Sequence, residues 1–179
     1  GKQWSDLGGG IPNTRGSFLL AQDSSGKLLV GGKFSSISGI PCNGLAAWNG
    51  KEWSEVSINP KDSVASASAV CVSPNGDLYV AGNLSVNGEP TKTVIIRKRG
   101  DVIEKIGEIQ AIPKSIPMVN VMACNGDLMY VAGNFNHIGT IKANKVAVWN
   151  MKTEKWSALG SGFVGTPYND SLSNTSDKF

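Results

Sequence analysis

Residues 26–32 (GKLLVGG) decide the fold, because the chain repeats them at a fixed interval. They return 50 residues later at 76–82 (GDLYVAG), and again at 126–133 (GDLMYVAG). Each copy is a short apolar run between a turn residue and a glycine, which is typical of a β-strand that follows a tight turn. A repeat at this interval predicts one structural unit per copy.

Two further blocks follow the same interval. Residues 43–49 (NGLAAWN) return at 144–150 (NKVAVWN), whereas the middle copy at 93–99 (TVIIRKR) is degenerate. The last block occurs four times, at residues 4–8, 53–56, 103–107 and 156–160. All five tryptophans stand in these blocks, so we interpret them as structural.

Each copy predicts four strands, a to d, joined by turns that contain Asn-Gly or Ser-Gly. The continuously apolar strand b predicts burial on both faces, and the alternating strand d predicts burial on one face. The predicted strands are a at 17–22, 67–73 and 118–124; b at 27–32, 77–82 and 127–133; c at 44–49, 93–98 and 144–150; and d at 52–57, 102–107 and 155–159, with an extra d strand at 2–7.

Tandem four-stranded antiparallel units of this size are typical of β-propeller blades. We therefore predict an all-β fold of about three propeller-type blades, at 17–57, 67–107 and 118–159. The propeller segment spans 1–162, and a polar tail or linker follows at 163–179.

Three motifs carry a family resemblance. Residues 28–34 (LLVGGKF), 43–50 (NGLAAWNG) and 156–162 (WSALGSG) are similar to kelch or galactose-oxidase-like propeller repeats. The resemblance is closest to the repeats of fungal cortical cell-polarity markers and bacterial surface proteins, and it covers residues 1–162. It implies an extracellular or cell-surface setting. It implies no catalysis, because galactose oxidase uses copper and several histidines and this chain has one histidine.

Composition excludes several classes of protein. The chain is 40% apolar, which is enough for a core, and it has no run of about 18 apolar residues that would span a membrane. The net charge of +3 is too small to indicate nucleic-acid binding. Charged residues make up only 17% of the chain and glycines number 22, which favours many strands and turns.

Cysteine and charge clusters give weaker signals. Cys71 and Cys124 lie in apolar strand-like runs, so we interpret them as small buried hydrophobes rather than as bridge partners. No CxxC pair indicates zinc. Residues 97–99 (RKR) predict a solvated strand end, with an anion or phosphate contact as the alternative.

No catalytic constellation stands out. His137 is the single histidine, and no Gly-x-Ser-x-Gly elbow occurs. Asp77 and Asp127 recur beside the a–b turns, so we expect them to shape hairpins rather than to act as acids. We therefore predict no enzyme activity, no cofactor and no metal site.

The connections predict a binding face. The a–b and c–d turns are short, whereas the b–c connections at 33–43, 83–92 and 134–143 and the d–a connections are long and lie on one face. Binding residues tend to lie on loops that a rigid scaffold holds. The candidate ligand-binding residues on this face are Ser36, Asn87, Asn136, His137 and Lys142. The alternative is that the fold itself needs long connections there.

Three blades do not close a ring, because closed propellers usually have four to eight. We favour a piece of a longer chain, since Gly1 begins inside a repeat, and a two-chain six-bladed ring is the alternative. The predicted function is a non-catalytic interaction or surface-recognition module. Its partner is a protein or the remaining blades of the ring, without nucleic acid or a membrane span. The alternatives are a lectin-like propeller that binds glycans, and a fragment of an enzyme whose active site lies in missing blades.

Overall fold

The computed structural model describes residues 6–11, 18–58, 63–86 and 90–163. Within these ranges every regular element is a β-strand, and the strands form three successive antiparallel sheets of four blade strands each. The predicted all-β fold with about three four-stranded blades is therefore confirmed. The extra strand predicted at 2–7 and the predicted tail lie almost wholly outside the described residues.

Blade 1 is a four-stranded sheet with a hairpin in its b–c connection. Its strands a to d are β1 (Leu19–Gln22), β2 (Leu28–Gly31), β5 (Leu45–Trp48) and β6 (Trp53–Glu55). The hairpin consists of β3 (Ser36–Ile37) and β4 (Ile40–Pro41).

Blade 2 has the longest strands. They are β7 (Ser63–Val72), β8 (Leu78–Ser85), β9 (Lys92–Arg99) and β10 (Val102–Gln110). Blade 3 consists of β11 (Met118–Asn125), β12 (Leu128–Asn134), β15 (Val146–Asn150) and β16 (Lys155–Ala158), with a b–c hairpin of β13 (His137–Ile138) and β14 (Ile141–Lys142).

The b–c connections differ from the long loops that we predicted. In blades 1 and 3 they fold as β-hairpins, and β13 pairs with β10 so that Ile138 stands opposite Ile109. The blade 3 hairpin thus extends the sheet of blade 2 to six strands. Apolar residues at Ile37 and Ile138 drive this, because each is about 1% exposed once the hairpin packs inward.

Side-chain amides and carboxylates fix the short turns. Asp23 Oδ1 accepts hydrogen bonds from the backbone N–H groups of Ser25 and Lys27 in the a–b turn of blade 1. In the c–d turns, Asn49 Oδ1 and Asn150 Oδ1 each accept two backbone N–H groups. These are the local bonds that favour Asn and Asp in turns.

The core lies between the blades. We call the side of a blade that is turned toward the next blade in the chain its forward face, and the other side its backward face. The forward face of blade 1 packs on the backward face of blade 2, with Leu29 and Leu45 against Val80 and Ile96. The forward face of blade 2 packs on the backward face of blade 3 through a second cluster, whose largest members are Tyr79, Ile95, Met129, Val131 and Trp149.

Two glycines allow strands a and b to approach closely. A Cβ on Gly82 would lie 2.1 Å from the Ser66 carbonyl oxygen, and one on Gly133 would lie 2.1 Å from the Met118 carbonyl oxygen. Strand a is bulged near both positions. The glycine that ends the repeated motif is therefore required by backbone packing in blades 2 and 3, whereas a Cβ on Gly32 of blade 1 would meet the Phe18 side chain.

Tryptophan pairs recur in blades 1 and 3 with the same geometry. The ring centroids of Trp48 and Trp53 are 5.3 Å apart at 49°, and those of Trp149 and Trp156 are also 5.3 Å apart at 49°. Such a repeated arrangement supports the interpretation of these tryptophans as structural.

The prediction for two of the three cysteines was wrong. Cys71 and Cys124 form a disulfide, with their Cα atoms 6.2 Å apart. Cys71 lies on the forward face of blade 2 and Cys124 on the backward face of blade 3, so the inward side-chain directions that suggested two hydrophobes also bring the sulfurs together. The bridge fastens the two blades, and Cys42 is left as a buried free thiol.

Candidate functional site

The predicted ligand-binding residues that the structure describes lie in or beside hairpins rather than on open loops. His137 and Lys142 stand opposite each other in the blade 3 hairpin, and Asn136 precedes it. Asn136 donates its backbone N–H to the Gln110 carbonyl, and its Oδ1 lies 3.1 Å from His137 Nδ1. These three residues therefore come together, with Lys142 exposed and the other two half-buried.

Ser36 does not join this group. Ser36 lies in the blade 1 hairpin, opposite Pro41, in a separate two-stranded sheet. Asn87 falls outside the described residues. Binding by these five positions stays a prediction.

The forward face of blade 3 is open. Tyr79 in blade 2 and Tyr130 in blade 3 occupy equivalent places at the centre of strand b, yet Tyr79 is fully buried and Tyr130 is only half-buried. In strand a, Ala69 is 3% exposed whereas its counterpart Val121 is 59% exposed. Burial raises the pKa of the Tyr79 hydroxyl. In strands a to c the side chains at the centre of this face are uncharged, and they are apolar apart from the tyrosine hydroxyl: Val121, Ala123, Tyr130, Ala132 and Val148. Strand d adds the exposed Ser157 opposite Val148 and the exposed Lys155 opposite Asn150.

The backward face of blade 1 is covered in a different way. The Trp53 indole donates to the Leu7 carbonyl, as the Trp156 indole donates to the Ile106 carbonyl at 2.6 Å. Ile11 packs against the buried cluster of this face. Residues 6–11 thus cover the outer half of the face, and Leu20 in strand a remains 66% exposed.

An arginine network crosses from blade 2 to blade 3. Arg97 is only 5% exposed, and its Nη1 donates to Glu154 at 2.7 Å while its Nε donates to Glu104 at 3.1 Å. Burial by itself lowers the pKa of Arg97, but the hydrogen bonds and charges of the two carboxylates outweigh it and raise the pKa above its ordinary value. The predicted solvated strand end is therefore wrong at Arg97, because its anionic partners come from this chain.

A simpler ion pair recurs at the ends of blades 2 and 3. Arg99 binds Asp77 at 2.6 Å, and Lys152 binds Asp127 at 2.7 Å. Hydrogen bonds to these carboxylates raise the pKa of Arg99 and of Lys152. Each pair ties an a–b turn to the end of strand c or the turn after it.

A groove of about 480 Å³ opens between blades 2 and 3, beside the arginine network. The groove is lined by residues 104–106 of β10, 138–141 of the blade 3 hairpin and 154–156 of blade 3. Arg97 and Trp149 complete the lining. Sequence reasoning missed this groove, although one signal was present: an arginine stands in strand c where the other copies have Ala47 and Val148.

The described residues add two further facts. None of their His, Cys, Asp and Glu side chains gather in a group of three that could hold a metal ion. No helix among them has the length and apolar character needed to cross a membrane.

Comparison with known proteins gives one match. A family model described as a domain of unknown function (DUF5122), beta-propeller, matches residues 24–46, which run from the a–b turn of blade 1 into its strand c. No curated protein and no solved structure matches the chain significantly. The match and the successive four-stranded antiparallel sheets together support a partial β-propeller, whereas the finer resemblance to kelch or galactose-oxidase-like repeats stays a prediction.

Proposed function

We propose that the chain is a non-catalytic interaction module that binds a protein partner through the forward face of blade 3. One observation carries this proposal: the face is exposed in blade 3, whereas the equivalent face of blade 2 is buried. Val121 is 59% exposed where Ala69 is 3% exposed. A contiguous apolar patch on a folded surface commonly marks an interaction site.

The two interfaces inside the molecule indicate the chemistry of the partner. Each forward face packs on a backward face of apolar strands, represented by Val80 and Ile96 in blade 2 and by Met129 and Val131 in blade 3. On the open forward face, strands a to c present uncharged side chains in the same strand pattern. A further blade of the same repeat type, presenting its backward face, is therefore the partner that fits.

A second copy of the chain can serve as the partner in the experiment, because the exposed Leu20 belongs to a backward face that is partly uncovered. We expect the mass in solution, measured by light scattering over a range of concentrations, to rise above that of a monomer. Val121→Glu places a charge in the apolar face and should keep the chain monomeric. Val102→Glu, at an equally exposed valine in blade 2, is the matched control and should behave as the unchanged chain does.

Two results would count against the proposal. One is a monomer at every attainable concentration for all three proteins. The other is self-association that Val121→Glu leaves unchanged.

A further inference from the structure

We infer that the groove between blades 2 and 3 is a binding site for a neutral saccharide, separate from the forward face of blade 3. The groove volume of about 480 Å³ lies within the range of about 300–1,000 Å³ that small-molecule sites occupy. Its walls come from two blades and one hairpin tip. A disulfide and an ion network cross the same blade interface, so the walls are held in place.

The arginine network is a feature that the blade fold does not itself require. Strand c carries Ala47 in blade 1 and Val148 in blade 3, at the position where blade 2 carries Arg97. Apolar residues at a buried position usually stabilise as well as an ion pair or better. The network therefore needs another explanation, and its position beside the groove offers one.

The backbone conformation of Glu154 is a second indication that the groove is a binding site. Its backbone φ is +52°, in the left-handed region that few non-glycine residues adopt. The turn that contains it is two residues longer than the c–d turn of blade 1, because six residues separate the paired Trp149 and Trp156 whereas four separate the paired Trp48 and Trp53. Strained backbone of this kind tends to gather at functional sites.

The charges of the groove favour a neutral ligand. Three cations (Arg97, Lys105, Lys155) and two carboxylates (Glu104, Glu154) line it, so neither sign dominates. An anionic ligand would compete with the two carboxylates for Arg97, and a cationic ligand would compete with Arg97 for the carboxylates. Hydroxyl groups can instead donate to the carboxylate oxygens of Glu104 and Glu154 that Arg97 does not use, and accept from the Lys155 ammonium group, which leaves the ion pairs of Arg97 in place.

Trp156 supplies an apolar surface beside these polar groups. Its indole N–H is already used by the Ile106 carbonyl, so what it offers to the groove is its ring. A pyranose has hydroxyl groups around its edge and C–H groups on its face. An indole ring combined with a few fixed polar side chains matches that shape, as small-molecule sites generally combine apolar walls with a few polar groups.

The test measures binding of three neutral disaccharides, cellobiose, lactose and chitobiose, by tryptophan fluorescence and by NMR titration. We expect at least one of them to bind at millimolar concentrations. Thr140→Arg fills the groove from an exposed position at the hairpin tip and should weaken binding by about tenfold or more. Thr153→Arg, the same change at an exposed position that does not line the groove, should leave the affinity unchanged.

Several outcomes would overturn the inference. These are no binding of any disaccharide, binding that survives Thr140→Arg, and binding of heparin-derived anionic oligosaccharides in preference to the neutral ones. Thermal melting of both variants checks that the fold is intact. Self-association through Val121 is measured separately, so failure of one proposal leaves the other standing.

Discussion

Blade 2 and blade 3 share one sequence pattern but differ in burial. In blade 2 every residue of strand b from Leu78 to Gly82 is buried, whereas in blade 3 burial alternates along strand b. Blade 2 lies between two neighbours, and blade 3 has one in the described chain. A continuously apolar strand can be buried on both faces, but the comparison shows that it is buried on both faces only where a neighbouring blade packs on each of them.

Replacing the equivalent tyrosines of blades 2 and 3 should give the largest effect and tests directly whether the two blades differ in burial. Tyr79→Ala empties a fully buried position and should lower the free energy of unfolding by about 3–5 kcal/mol. Tyr130→Ala removes a half-buried side chain and should cost about 1 kcal/mol. Denaturant unfolding at low protein concentration measures both. Equal losses would mean that the forward face of blade 3 is covered in the chain by itself.

The disulfide gives the next largest effect. Cys71→Ser with Cys124→Ser should destabilise the chain by about 2–4 kcal/mol, because the bridge closes a long loop across a separation of 53 residues. Of the three cysteines, only Cys42 should react with a thiol reagent in the denatured, unreduced chain. In the folded chain Cys42 should react slowly, because burial raises the pKa of its thiol and keeps the reactive thiolate scarce.

A count of reactive thiols tests whether Cys71 and Cys124 are joined by a disulfide. Three thiols in the denatured chain without reductant would contradict the bridge. The variant Cys42→Ala serves as the control, and it should show none under those conditions.

The arginine network provides an effect of similar size that depends on which partner is removed. Glu104→Gln combined with Glu154→Gln leaves a buried guanidinium without a counter-charge and should cost about 3 kcal/mol. Arg97→Met should cost less than about 1 kcal/mol, because the two carboxylates that remain are about half exposed and can be hydrated. Unfolding free energies measure the contrast, and the opposite order would show that the network is held chiefly by the carboxylates.

The smallest effect concerns the indole hydrogen bonds. Trp53→Phe and Trp156→Phe each remove one N–H donor to a backbone carbonyl and should each cost about 1 kcal/mol. Similar losses in calorimetric melting would support a common structural role for both tryptophans. A much larger loss of stability at one of them would show that the two tryptophan pairs contribute differently to stability despite their equal geometry. Blade 2 has Ile103 at this position and already folds without the bond.

The blade pattern was predictable because local signals agree with the global fold. Turn residues, apolar runs and glycines recur at one interval. Each of them determines the backbone conformation of residues that are close to it in the sequence. The hairpins at β3–β4 and β13–β14 were missed because they are short and each relies on packing against a distant segment. Cys71 and Cys124 looked like hydrophobes because burial and pairing produce the same sequence signal.

The candidate sites were less predictable because they depend on contacts between residues that are far apart in the sequence. Glu154 joins Arg97 from 57 residues away, and nothing local to either residue indicates the contact. An open face follows from the blade count, since three blades that do not close a ring leave faces uncovered. Which side chains would be exposed on it required the register of the strands.

The blade 3 hairpin has a consequence for strand edges. An outermost strand offers unpaired N–H and C=O groups, which is a common starting point for aggregation. In blade 2 the hairpin β13–β14 covers part of that edge by pairing with the end of β10. The outer edge of blade 2 is thus covered by the blade that follows it, through backbone pairing rather than through charge. Among the described residues, the outer strands β6 of blade 1 and β16 of blade 3 have no such strand paired with them.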